Sequence, residues 1–469
     1  MYVPQILEDL AQELHRQNAK AILVGGAVRD YFLTLDNKDY DVEVYGLQDM
    51  NTLIKILANH GSVNLVGKSF GVLKFSYGED EYDFSFPRQE RKIAEGHRGF
   101  EIQINGDLSF KEASRRRDFT INAIGYDILE KTFLDPFEGL EDIKKQTLRH
   151  IDSKTFVEDP LRVYRAVQFV ARFEYALADE TFALCQKMRE ERMLEELAKE
   201  RIYMEWTKLL LKAPKPSLGF ELMRSLGIVE QYFPELYALI GVVQSPKWHP
   251  EGDVWIHTMM CVDAMAKICR EADYSQKEKL LFFFAILCHD LGKATHTQID
   301  KEGNIRALGH EEAGLAPTKS FMYRLSDEHD FIQALLPLVE HHLKPSQFYR
   351  GKAKASAFRR LATKVNIEML IIVAKADFLG RTTEESLKGI YHAGIWMLEK
   401  SKSLKVHQAP LDNLLQGRDL IALGLKPSKE FKVILDEVYQ RQLLGELESW
   451  EDTMVYVRNI KEKNVTNDM

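Results

Sequence analysis

Two aspartates one residue apart, Asp39 and Asp41 in Lys38-Asp39-Tyr40-Asp41-Val42-Glu43, follow a Gly-Gly turn in Leu23-Val24-Gly25-Gly26-Ala27-Val28-Arg29-Asp30. In a strand, residues two apart point to the same side, so both carboxylates face one site. Two convergent carboxylates can hold a pair of magnesium ions about 3.5–4 Å apart, the arrangement used for in-line phosphoryl displacement. A Gly-Gly turn that opens a helix lets backbone N–H groups approach a phosphate. One short stretch thus supplies a metal site and a phosphate site, which points to nucleotidyl transfer. Glu43 falls on the same strand face, and Asp83 in Glu81-Tyr82-Asp83-Phe84-Ser85 offers a third carboxylate.

Basic residues follow at intervals. In Arg115-Arg116-Arg117-Asp118-Phe119-Thr120-Ile121-Asn122-Ala123, an arginine stands beside an aspartate. The guanidinium can fork onto phosphate oxygens, and the carboxylate can accept from ribose hydroxyls or cap a helix start. Arg29, one turn into the first helix, can reach a triphosphate or pair with a carboxylate. In Glu158-Asp159-Pro160-Leu161-Arg162-Val163-Tyr164-Arg165, Asp159 and Arg162 are three apart and share a helix face. One offers acceptors and the other donors, so the pair can present a base-like edge to a nucleotide without a nucleic-acid template.

A second constellation is built from imidazoles. His289-Asp290 ends the apolar run Leu280 to Cys288, with His257 upstream and His310, His341-His342 and Asp377 downstream. Mixed His and Asp ligands on several helices suit Mn, Ni, Co, Fe or Mg and not a closed zinc site.

The elements that must position these groups are of two kinds. Up to residue 147 the pattern mixes strands (Ala21–Val24, Tyr40–Tyr45, Asn64–Lys74, Glu81–Phe86) with a helix over Ala27–Leu35, which suggests a mixed sheet with helices on one side. From about Ser153 apolar residues recur at helical spacing, over Pro160–Phe173, Ala178–Glu190 and Lys199–Leu211. Lys212-Ala213-Pro214-Lys215-Pro216-Ser217 reads as a linker, His249–Lys400 as an all-helical block, and Ser401–Pro410 as a hinge before a helical tail. The fold class is therefore α+β.

Residues 20–210 resemble the successive motifs of bacterial tRNA nucleotidyltransferases, the CCA-adding enzymes. The likeness rests on Gly25-Gly26-x-Val28-Arg29-Asp30, the Asp39/Asp41 pair and Arg116-Arg117-Asp118-Phe119-Thr120-Ile121-Asn122-Ala123. It continues through Asp135-Pro136-Phe137-Glu138-Gly139-Leu140, Glu158-Asp159-x-x-Arg162 and Lys199-Glu200-Arg201-Ile202-Tyr203-Met204-Glu205. The resemblance implies a nucleotidyltransferase head (1–147), a helical neck (148–230), a helical body (231–400) and a tail (401–469). It implies that Asp39 and Asp41 carry Mg²⁺, that Gly25, Gly26 and Arg29 meet the triphosphate, and that Arg117 and Asp118 meet phosphate and ribose. Asp159 and Arg162, with Arg165 nearby, would read the base edges of CTP and ATP. Gln168 stands where some relatives carry a second arginine. The stretch from Arg88 to Ser114, with Gly96-His97-Arg98-Gly99-Phe100, is not shortened. In the family its loss accompanies restriction to C addition. CCA addition to the tRNA 3′ end is thus expected, with A-only addition or poly(A) synthesis as the alternative.

The histidine series is similar to HD-domain phosphohydrolases, and Lys247-Trp248-His249-Pro250-Glu251 resembles the subset of tRNA nucleotidyltransferases that carry this domain. The similarity implies His257, His289, Asp290 and Asp377 as ligands of a divalent transition metal or Mg²⁺. It also implies hydrolysis of phosphomonoesters or 2′,3′-cyclic phosphates, with Lys293 at the phosphate. A metal kept for folding is the other reading of that site. The tail segment Gly417–Pro427 reads as a short helix stopped by glycine and proline.

Bulk properties agree with this class. The chain has 469 residues, 45% hydrophobic and 29% charged, so it needs more than one domain. Four cysteines (Cys185, Cys261, Cys269, Cys288) lack Cys-x-x-Cys pairing, which fits a reducing compartment. The N-terminus carries acids early, and the longest apolar run is too short to span a bilayer, so a cytoplasmic location without membrane contact is expected. The net charge of −8 argues against a surface coated for nucleic acid but leaves room for a local basic patch at Arg115–Arg117 or along Arg162, Arg165 and Arg172.

Overall fold

A computed structural model describes the chain apart from residues 37, 38, 48, 67–71, 93–99, 105, 468 and 469. Lys38 and the segment Gly96-His97-Arg98-Gly99 lie outside the described residues. The chain forms two compact units, Met1–Tyr232 and Phe233–Met469.

The first unit opens with helix α1 (Gln5–Arg16), strand β1 (Lys20–Val24), helix α2 (Gly26–Phe32) and strand β2 (Tyr40–Tyr45). Strands β3 (Ser62–Val66), β4 (Val72–Tyr77), β5 (Asp80–Ser85), β6 (Arg88–Lys92), β7 (Phe100–Ile104), β8 (Gly125–Asp127) and β9 (Thr132–Leu134) follow. Seven of them make one sheet in the order β3-β4-β5-β2-β1-β8-β9, while β6 and β7 pair separately. The seven-stranded sheet is mixed: β2 and β5 run parallel and the other neighbours antiparallel.

Alternation along β2 explains how one strand serves both core and site. Val42 and Val44 enter a core with Phe75 and Phe84, covered by Leu7, Leu10 and Leu14 of α1. Asp41 and Glu43 point to the other face. The run expected as one strand over Asn64–Lys74 is divided between β3 and β4, with Val66 opposite Val72. Apolar alternation continues on both sides of the reversal, so it reads as a single strand.

The helical part of this unit is built on the helix Leu161–Phe173, against which Lys199–Lys212 and Ser217–Ser225 pack. The segment expected as a linker, Lys212–Ser217, is instead a tight turn inside the unit. Ala213 is buried, and Pro216 caps the next helix. A Cβ on Gly219 would come within 2.6 Å of Leu209, so the two helices meet closely at that glycine. The prolines break the helix without opening a boundary.

The second unit packs the helices Val254–Glu271, Gln276–Cys288, His329–Glu340 and Ile367–Leu379 together. Within the block expected to be wholly helical, Gln298–Ile299 and Ile305–Arg306 form a small hairpin. Asp300 closes it by accepting from the N–H groups of Glu302 and Asn304, both at 2.9 Å. The expected hinge after residue 400 is tied down: Glu368 N–H donates to the His407 carbonyl at 2.9 Å, and Asn366 donates to that of Gln408 at 3.1 Å. Beyond it, the expected tail helix is Gly417–Ala422, ended by Gly424 at φ +79°.

Candidate active sites

Gly25 stands between β1 and α2 at φ +72°, which L side chains rarely adopt. A Cβ there would sit 3.4 Å from Asp41 Oδ2 and 3.5 Å from Arg117 Nη1, so the glycine also leaves room beside both groups. Asp41 lies opposite Val24 on β1 and in register with Asp83 on β5. The Asp41 side chain borders solvent but is crowded by protein on its other sides. That crowding, with the negative charges of Asp83, Asp39 and Glu43, pushes its carboxyl up to about 6 against the attraction of Arg117. A carboxylate so opposed is one that a cation would stabilise. Asp39 stands just before β2 and adds to this negative field.

Glu43 shares the strand face but serves differently. Its Oε1 accepts from Arg117 Nη2 at 2.7 Å, and its Oε2 accepts from the Tyr45 hydroxyl at 2.6 Å. Arg117 also donates through Nη1 to the Asn122 carbonyl at 3.2 Å. The Asn122 side chain accepts from Arg29 Nη1 at 2.6 Å and donates to Asp118 Oδ1 at 2.9 Å. Asp118 Oδ2 in turn accepts from Arg165 Nε at 2.6 Å. Burial would raise the Asp118 carboxyl, yet Arg165 and the Asn122 bond hold it below the usual range.

Two residues expected at the nucleotide also take the other roles open to them, carboxylate pairing for Arg29 and capping for Asp118. Arg29 is buried, bonded to Asp30 at 2.7 Å and stacked over Phe169 and Phe173 at 5.3 and 4.9 Å. It braces α2 against the helix Leu161–Phe173. Asp118 is buried as well, with both oxygens engaged, and caps the following turn through the Phe119 N–H at 2.9 Å.

Asp159 and Arg162 lie at the start of the same helix, each half-buried. Arg162 Nη1 donates to the Thr155 carbonyl at 2.7 Å and Nη2 to that of Arg116 at 2.6 Å. Asp159 accepts from Arg201 Nη2 at 3.3 and 3.2 Å. Gln168, one turn beyond Arg165, is buried, and its Oε1 has no hydrogen-bond partner.

In the second unit His257, His289, Asp290 and Asp377 come together, all buried. His257 Nε2 lies 3.2 Å from Asp377 Oδ1 and 3.8 Å from Asp290 Oδ2, and His289 Nε2 lies 3.1 Å from Asp290 Oδ2. The other Asp290 oxygen faces His310 Nε2 at 3.2 Å and His342 Nε2 at 3.9 Å. All four imidazoles have Nδ1 tied to an acceptor. These are Glu251 Oε1 at 2.8 Å for His257, and the carbonyls of Ile286, Ala307 and Val339 at 2.6, 2.6 and 2.7 Å for the others. For His289, His310 and His342 Nδ1 then carries the proton and Nε2 turns toward Asp290, while His257 Nε2 lies nearest Asp377. His289 Nε2 and His310 Nε2 make no hydrogen bond, which leaves acceptors in a closed space suited to a cation.

Burial opposes charge on Asp290 and Asp377. His289 and Lys293 beside the first, and Arg381 beside the second, nevertheless keep both carboxyls well below the usual range. Burial pushes His342 down to about 3, so it stays neutral and able to ligate. Lys293 Nζ sits 2.7 Å from Asp290 Oδ2 and donates to Gln244 Oε1 at 2.7 Å.

Sequence reading did not assign roles to Asn122, Arg201, Glu251, His310, His342 or Arg381. Asn122 and Arg201 lay inside the quoted motifs, and His310 and His342 were noted without a ligand role. Arg381 stands four residues after Asp377, a helical pairing distance.

Three domain families match the chain: the poly(A) polymerase head domain over residues 21–149, the probable RNA- and SrmB-binding site of polymerase A over 174–239, and the HD domain over 254–381. Head and HD metal cluster together define a nucleotidyltransferase joined to an HD domain. The multifunctional CCA protein of Mannheimia succiniciproducens is 35% identical over 371 residues, 77% of this chain and 84% of that protein. That of Pasteurella multocida is 33% identical over 435 residues, 91% of this chain and 96% of that protein. The chain belongs to this family, the bacterial CCA-adding tRNA nucleotidyltransferases with an HD domain. In fold it is similar to the Bacillus stearothermophilus CCA-adding enzyme in complex with CTP (TM-score 0.66, 21% identity, 99% of this chain and 100% of that one). The Thermotoga maritima CCA-adding enzyme complexed with tRNA is similar too (TM-score 0.60, 19% identity, 98% and 96%).

Two outcomes follow from the arginine network. Arg29→Ala leaves buried acceptors behind and should destabilise the first unit by about 3–5 kcal/mol, seen as an earlier urea transition; an unmoved transition would show that Arg29 braces nothing. Asp118 is depressed when folded, so its stabilisation is present above the ordinary carboxylate range and lost as pH falls through the folded value. Asp118→Asn should therefore lower stability at neutral pH and flatten its decline on acidification, measured as midpoint against pH.

Proposed function

We propose that the chain adds C, C and A in turn to the 3′ end of tRNA, from CTP and ATP, without a nucleic-acid template. The observation that carries this reading is Asp41 beside Gly25 and Arg117 and in register with Asp83. Asp39 and Asp41 would hold Mg²⁺ there, which supplies neutralisation of the triphosphate and acidifies the terminal 3′-hydroxyl. The hydroxyl oxygen attacks the α-phosphorus, a phosphodiester forms, and pyrophosphate leaves. Gly25 and Gly26 face the triphosphate with their backbone, and Arg117, held by Glu43, meets its phosphates.

Asp159 and Arg162 form the edge that selects the base, with Arg165 behind them. Each Nη of Arg162 carries a second N–H beyond the one given to a carbonyl, and Asp159 keeps lone pairs beyond those used by Arg201. Asp118 and Arg29 act chiefly by holding Arg165 and Asn122 in place. We divide the chain into head (1–147), neck (148–230), HD body (231–400) and tail (401–469), and action on tRNA would take place in the cytoplasm.

For the second unit we propose phosphohydrolysis of phosphomonoesters or 2′,3′-cyclic phosphates. His257, His289, Asp290 and Asp377 would hold one divalent ion, and Asp290, His310 and His342 a second. Ions bound there activate water and polarise the phosphate. Lys293, at Asp290, lies where it can meet a phosphate oxygen.

Transfer RNA ending in NN, NNC or NNCC, incubated with each nucleotide separately, tests the first reading. Incorporation of C into NN and NNC, and of A into NNCC, is expected. Absence of any C incorporation would leave A addition alone. Asp41→Ala should slow incorporation roughly a thousandfold or more, and near-normal rates would end the two-metal reading. For the second unit, Asp290→Asn should abolish hydrolysis of 2′,3′-cyclic AMP while CCA addition continues; persistent hydrolysis would place that activity elsewhere.

A further inference from the structure

Four buried thiols are present, and one of them touches the imidazole of the HD cluster. Cys261 lies one turn after His257 on the same helix, so both point to one side. Its Sγ is 3.3 Å from His257 Nε2, the nitrogen whose lone pair faces the cluster, and 3.8 Å from the Asp377 carbonyl. We infer that Cys261 is a sulfur ligand of the first metal position, alongside His257, His289 and Asp377. The inference rests on the reading of this cluster as a metal centre.

The ligand atoms of these four residues all lie within 4.8 Å of one another, the span of one coordination sphere. A nitrogen and a sulfur bound to one ion at about 2.1 and 2.3 Å stand roughly 3.1–3.6 Å apart at ordinary angles, and the observed separation falls inside that range. His289 Nε2 gives independent support, since it is fully buried, has no hydrogen bond and belongs to the same group. Cys261 also fills space against Gly380, where a Cβ would meet Sγ at 2.3 Å, as a packing cysteine would. Packing alone does not require the sulfur to approach an imidazole nitrogen whose partner nitrogen is anchored. On metal binding the thiol proton passes to solvent as the sulfur–metal bond forms, with no change of oxidation state. A thiolate shifts preference from Mg²⁺ and Mn²⁺ toward Zn²⁺, Co²⁺ and Ni²⁺.

The full-length protein, stripped with a chelator and titrated with Co²⁺, tests this. Wild type should develop a sulfur-to-cobalt charge-transfer band in the near ultraviolet together with ligand-field bands in the visible. Cys261→Ala should lose the former and bind Zn²⁺ at least about tenfold more weakly. Cys288→Ala, whose thiol faces Thr318, should keep the band. Cys261→Ser serves where the alanine variant unfolds, and the wild-type spectrum stands without either. Visible bands with no sulfur band would overturn the assignment of Cys261 and leave the metal centre intact. No cobalt bands of either kind would overturn both.

Discussion

The first site depends on one side chain, the amide of Asn122. Its oxygen accepts from Arg29, its nitrogen donates to Asp118, and its backbone carbonyl accepts from Arg117. Asp118 carries the chain of bonds on to Arg165. Four charged residues, from three motifs far apart in sequence, are thus held at fixed distances. Arg29 and Asp118 are buried, and buried charges are tolerated only when paired, so neither can lose its partners without a large cost. The network therefore sets where Arg117 stands relative to Gly25 and Asp41.

That constraint also explains an asymmetry among the acids of β2. Glu43 is neutralised by Arg117 and by the Tyr45 hydroxyl. Asp41, two residues earlier on the same face, is left with Asp83 and Asp39 as neighbours and is pushed up to about 6. One carboxylate anchors an arginine; on the other, burial and three acidic neighbours outweigh that arginine's attraction. Spacing places both on one face but does not distinguish them, because the distinction comes from an arginine more than seventy residues away.

What could be read from the chain follows from how local each signal is. The Tyr40–Tyr45 strand was read with its observed bounds because Val42 and Val44 alternate with acids over its whole length. The helix Leu161–Phe173 was read to within one residue from its apolar spacing and its proline start. The Lys212–Ser217 turn was misread because prolines mark a break in a helix equally at a boundary and inside a bundle. For Arg29 and Asp118 residue chemistry left two roles each open. Burial, which commits them to each other's neighbours, depends on tertiary packing. His257, His289, Asp290 and Asp377 were named from the resemblance to HD-domain phosphohydrolases, and the fold brings the four together. The two-sided use of Asp290 was not read, because it needs His310 and His342 at one oxygen of the carboxylate and His289 at the other.

In the second unit the decisive hydrogen bonds lie on the far side of the imidazole rings from Asp290 and Asp377. By fixing Nδ1 of four imidazoles, Glu251 and three carbonyls turn Nε2 of His289, His310 and His342 toward Asp290 and that of His257 toward Asp377. A buried acceptor without a donor costs about 1–3 kcal/mol, and His289 and His310 each present one. A cluster selected only for packing would relieve that cost with a tautomer change or an apolar replacement. Here each tautomer is held against relief by a short bond on the far side of the ring. Two groups of side chains whose ligand atoms could hold a metal ion meet here, and Asp290 turns one oxygen toward His289 and the other toward His310.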